Sequence, residues 1–214
     1  MALNNRNYAL FNGKIRHPLS LVNLAAHSLS EFHEANTRPI MTPPQTARLR
    51  WSAPPSLHFK INFDAAISTA QTIFGIGVVV RDHEGSFMAG LAKKFVGSVS
   101  VEIAEAHVAR EVVYLARNLM IPSFILEGDA ASIIKLILHK ENILSDLGLI
   151  LEDIYLALLD QLCIDVKWIP IEANKVAHIL ANRAKNANPY KSLWNAPPNF
   201  VKQIVLDDLQ QFQE

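Results

Sequence analysis

The sequence predicts an α/β fold on a mixed sheet of five strands, three antiparallel and then two parallel, and three observations carry that expectation. The stretch Leu57–Ala66 alternates Phe59, Ile61 and Phe63 with His58, Lys60, Asn62 and Asp64, the period of two that a strand shows. Two further strand-like stretches follow it with only turns between them. From Val101 onward the period becomes that of a helix, and two short strands lie between helical segments. Helical crossovers bring such strands in parallel to the first.

Taken in order, Ile73–Arg81 is β-branched and strand-like, Asp82-His83-Glu84-Gly85 has the composition of a tight turn, and Ser86–Phe95 is the third strand. Gly75 and Gly77 do not make a dinucleotide fingerprint, because no third glycine follows at the needed spacing and the pair lies before a strand rather than opening a helix. Val101–Met120 is helical, with Ile103, Ala106, Val113, Ala116 and Leu119 available to face inward, and Pro122 marks its end. Ser123–Glu127 is a short buried strand, Ala130–His139 and Asp146–Gln161 are helices, Cys163–Ile169 is the last strand, and Ala173–Asn186 is a helix. Residues 1–50 read as a linker or tail, with one candidate amphipathic helix over Leu19–Ala35 and Trp51 as its docking point; 51–187 form the domain, and 188–214 a C-terminal tail.

Composition narrows the function. A chain of 214 residues, half of it hydrophobic, fits one domain with an appendage. Its 20 Lys+Arg balance 20 Asp+Glu, which excludes a generally basic coat protein but leaves room for a basic groove offset by clustered acids. The single cysteine, Cys163, has no partner for an internal disulfide and fits a reducing compartment. The N-terminal residues lack the apolar run of a signal peptide, and no stretch is apolar for long enough to span a bilayer. The expectation is an intracellular protein, nuclear or cytosolic, with no membrane partner.

Carboxylates are the chemically informative residues. Asp64 and Asp129 each fall at the carboxyl end of a predicted strand, where open sheets collect ligands. Glu105 lies in the first turns of the helix between them. Each acid alone reads equally well as a cap or a solvated charge; Asp129, directly before a helix, is a natural N-cap. Together they suggest a shared acidic site. The histidines His27 and His33 of the N-terminal segment read as solvated rather than as ligands.

At these positions the chain resembles the ribonuclease H superfamily, and most of all the plant ribonuclease-H-like domains of non-LTR retrotransposon-derived proteins. The matching stretches are Lys60-Ile-Asn-Phe-Asp-Ala-Ala66, Gly75-Ile-Gly-Val-Val-Val-Arg-Asp-His-Glu-Gly85, Ala104-Glu-Ala106, Leu126-Glu-Gly-Asp129 and Asn174-Lys-Val-Ala-His-Ile-Leu-Ala181. Each is weak alone; five in the right order and spacing are specific. The resemblance covers 57–187 firmly and the flanks loosely.

The resemblance implies a five-stranded sheet with the first strand central and helices on both faces. It also implies hydrolysis of the RNA strand of an RNA–DNA hybrid by a two-metal mechanism, with two Mg²⁺ ions, or Mn²⁺ in their place. By position, Asp64, Glu105 and Asp129 take the places of the first three catalytic, metal-binding acids, and Glu102 is a nearby decoy. His178 stands where active members commonly have Asp, and reads either as a weak fourth ligand or as a histidine bonded to backbone at a helix–sheet boundary. Ala65 and Ala130 replace a frequent Gly and Ser. Lys60, Arg81, Lys175 and Arg183 are candidate nucleic-acid contacts on a monomer. The competing expectation is a catalytically weak or inactive module that binds nucleic acid or a protein partner, favoured by His178 and the neutral net charge.

Overall fold

The computed structural model describes residues 50–68, 72–140, 143–159, 163–186 and 191–210. The chain divides into two units, Met1–Ala47 and Arg48–Glu214. The expected helix over Leu19–Ala35 lies outside the described residues.

The second unit is a mixed sheet between two layers of helix. Its strands are β1 (Phe59–Ser68), β2 (Ile73–Arg81), β3 (Phe87–Val96), β4 (Phe124–Gly128), β5 (Cys163–Trp168) and β6 (Lys191–Trp194). Its helices are α1 (Val101–Asn118), α2 (Ala131–His139), α3 (Asp146–Leu159), α4 (Lys175–Lys185) and α5 (Asn199–Gln210), with a 3₁₀ turn at Ile171–Ala173. The strand order is β5-β4-β1-β2-β3-β6. β1, β2 and β3 form the expected antiparallel meander, and β4 and β5 add in parallel on the other side of β1.

Two corrections concern the C-terminal end. The sheet has six strands rather than five, because Lys191–Trp194 pairs antiparallel with β3. Residues read as a tail are therefore part of the fold: β6 widens the sheet, and Val201 and Val205 of α5 pack with Val79, Val176, Ala177 and Leu180 into a second apolar cluster. A strand of four residues is too short to show its period in sequence.

The alternation of β1 places its two sets of side chains in different surroundings. Ile61 and Phe63 enter the main core with α1, α2 and α3. Lys60, Asn62 and Asp64 were expected on a polar face, yet all three are buried. Buried polar groups need partners, and these have them: Lys60 Nζ pairs with Glu127 at 2.8 Å, Asn62 donates to Glu127 at 3.0 Å, and Trp51 Nε1 donates to Asn62 at 2.8 Å. Trp51 is itself buried, and Arg81 stacks over its ring at 4.2 Å.

Gly75 and Gly77 do a packing job. A Cβ on Gly75 would collide with the Ala181 carbonyl of α4, and one on Gly77 with the Ala177 carbonyl. The bare strand surface lets α4 lie directly on β2, and Ala177, Ala181 and Ala184 keep the helix side equally thin.

Candidate active site

The site grows out of where β4 stops. Its last residues pair Asn62 with Glu127 and Phe63 with Gly128, while β1 continues to Ser68 against β2 alone. Beyond Phe63, the β4 side of β1 is therefore a notch with no strand partner, where the Phe63 carbonyl and the Ala65 amide bond to side chains instead. Asp64 stands at that notch. The sequence placed it at the end of its strand; it lies instead where the strand's parallel neighbour ends.

The other groups arrive from three elements. Asp129 follows β4 directly. Glu105 is on the second turn of α1, whose start is fixed by Ser100 Oγ accepting from the Ile103 amide at 3.2 Å. Asn174 and His178 come from the start of α4. Asn174 Nδ2 donates both to the Phe63 carbonyl at 2.8 Å and to Asp129 Oδ1 at 3.1 Å, so one amide joins β1 to the Asp129 carboxylate. Asp129 does not cap α2: Ala130 is the N-cap residue and no side chain caps that end.

His178 lies against an acid rather than backbone. Its Nδ1 is 2.8 Å from Asp64 Oδ2, and its Nε2 is 3.0 Å from Asn182 Nδ2. With Asn182 donating to Nε2, the proton belongs on Nδ1 and points at Asp64. The ring then has a partner at both nitrogens, and one Asp64 oxygen is engaged by it. Asn182 is not singled out in the sequence, although Asn174, His178 and Asn182 recur every four residues along α4 and its N-cap.

The carboxylates act on one another. Burial and then the charge of Asp129 push Asp64 up to about 6, partly opposed by His178. Glu105 is pushed up to about 9, first by burial and then by Asp64 and Asp129, against a backbone hydrogen bond from Ala65. Glu105 Oε2 is buried without a hydrogen-bond partner, as is Asn174 Oδ1. Glu102, the decoy, is exposed.

Among the described residues, no group of three or more His, Cys, Asp or Glu is arranged to hold a metal ion as it stands. The donor chemistry nonetheless suits a hard cation: three carboxylates, two of them raised by burial and by their acidic neighbours, and one of those with an orphaned, buried oxygen.

Of the candidate nucleic-acid contacts, two are removed from the surface. Lys60 is buried in its pair with Glu127, and Arg81 is 1% exposed and paired with Asp208 at 2.7 Å. The partners that bury them, Glu127 and Asp208, lie far along the chain, beyond the reach of any local sequence pattern. Lys175 and Arg183 are exposed on α4, Arg183 over the Phe200 ring at 4.2 Å.

Residues 62–184 match the family model described as "Reverse transcriptase-like". No curated protein matches the chain. Among solved structures, RNase H1 from the halophilic archaeon Halobacterium salinarum NRC-1 is 19% identical with a TM-score of 0.56, covering 60% of this chain and 98% of that one. The N-terminal RNase H domain of a Mycobacterium tuberculosis protein is 18% identical with a TM-score of 0.55, covering 61% and 95%. LC11-RNase H1, isolated from compost and solved in complex with an RNA/DNA hybrid, is 18% identical with a TM-score of 0.51, covering 60% and 96%.

Proposed function

Starting from the fact that this chain belongs to the reverse transcriptase-like family and has an RNase H-like fold, we propose that it is a divalent-metal-dependent endonuclease cutting the RNA strand of RNA–DNA hybrids. The observation that carries the reading is the notch beside β1, where Asp129 raises Asp64, both raise Glu105, and Glu105 Oε2 is buried without a partner. Asp64, Glu105 and Asp129 would hold Mg²⁺, which when bound would supply charge neutralisation at the phosphodiester and activate a water.

The chain's own residues prepare that chemistry. Asn174 fixes Asp129 against the Phe63 carbonyl, and His178 fixes Asp64 through Oδ2. Glu105, on α1, presents its unpartnered oxygen. Lys175 and Arg183 draw in phosphates, so binding weakens as salt rises. The test is cleavage of an end-labelled hybrid with Mg²⁺ or Mn²⁺: the wild type cuts the RNA strand, and Asp64→Asn abolishes cutting while still binding the hybrid.

His178 favours a second reading, a module that binds hybrid without turning it over. The ring already engages Asp64 and brings no negative charge, so the cation is held more weakly than by a fourth acid. Hybrid binding with no product at any metal concentration is the outcome that selects it.

A further inference from the structure

Trp168 is the last residue of β5, directly beside Gly128 in the parallel pairing with β4. The residue is 51% exposed, on a strand that ends at the same rim of the sheet as the acidic notch. The ring is nevertheless held in place, because Nε1 donates to the Asp129 carbonyl at 3.0 Å. The polar handle of the side chain is used up inside the protein, and what remains in water is apolar ring. Ile171, three residues further along the chain, is 45% exposed, and Lys175 is exposed at the start of α4.

We propose that Trp168 is a substrate-binding residue: its exposed ring packs against the sugar face of the strand whose phosphate lies at Asp129. This rests on the proposed hybrid substrate and specifies how the chain meets it. In a duplex the bases are stacked on one another, and the surface next to each phosphate is sugar; an A-like groove is wide and shallow enough to offer it. A flat apolar ring orders little on binding, having two side-chain torsions, already restrained by the Nε1 bond. The contact reads no base and adds affinity without sequence preference.

The experiment is a fluorescence-anisotropy titration of a labelled RNA–DNA hybrid at fixed ionic strength, with Ca²⁺ as the cation, on wild type, Trp168→Ala, Trp168→Leu and Trp168→Phe. The expected result is affinity lowered roughly tenfold by Ala and several-fold by Leu, with Phe within about threefold of wild type. Leu keeps apolar bulk without a flat face, so it carries the test if the Ala variant does not fold. Wild-type affinity in both Ala and Leu overturns the inference. Phe as weak as Ala also overturns it, since the part that matters would then be the bond to Asp129. A wild-type protein that does not bind hybrid at all brings down the functional reading itself, a distinct failure from loss of the Trp168 effect alone.

Discussion

Glu105 and His178 are the residues whose behaviour most directly exposes the electrostatics of the site. Burial and neighbouring acids push Glu105 from its ordinary 4.5 up to about 9 and Asp64 from 3.8 up to about 6. The native state therefore keeps protons that the unfolded chain has released, so these groups lower stability as pH rises from the unfolded values through 6 and then 9. Without divalent cation, melting temperature should fall between about pH 4.5 and 9, and Mg²⁺ or Mn²⁺ should restore it most at the alkaline end. Glu105→Gln should melt higher than wild type at pH 8 without cation and lose most of the cation-induced shift; thermal melts across pH check both. His178→Asp puts a second carboxylate beside Asp64 in place of a donor. It should melt lower than wild type in the absence of cation and need less Mg²⁺ for cutting, as read from a Mg²⁺ titration of cleavage. An unchanged requirement would mean position 178 does not serve the cation.

At the scale of elements, a set of buried charges joins the second apolar cluster in holding α5 and the lead-in to β1. Arg81 bridges Asp208 of α5 and the ring of Trp51, and Lys60 also donates to the Ser52 carbonyl at 2.6 Å. Removing one partner of such a pair strands the other in low dielectric. Asp208→Ala should destabilise the domain by about 3–5 kcal/mol in urea unfolding. The reasons some elements were legible in the sequence and others not are visible here. β1 to β5 and α1 to α4 announced themselves because each carries its own period or β-branched run. β6 and the role of α5 did not, because they depend on pairings such as Gly90 with Trp194 and Arg81 with Asp208, which no local window contains. Asp64, Glu105, Asp129 and His178 could be picked out by motif spacing; that His178 would bond to Asp64, and that Lys60 and Arg81 would be internal, follows only from the assembled layers.

For the molecule as a whole, the two faces of the sheet have different jobs. One carries the larger apolar cluster with α1, α2 and α3, and the other carries α4, α5 and the buried ionic groups. The candidate site lies where these layers meet at the end of β4, so it draws Glu105 from one layer and Asn174 and His178 from the other. The contact of α4 with Gly75 and Gly77 then acquires a meaning beyond close fit. With no side chain on the strand to act as a spacer, the depth at which that helix rests is set by backbone alone, and the helix delivers the amide and imidazole that steer two of the acids. A single methyl introduced at position 77 would act as a shim, tilting the bearing on which those two side chains ride, and the active end would register a change made far from any reacting atom.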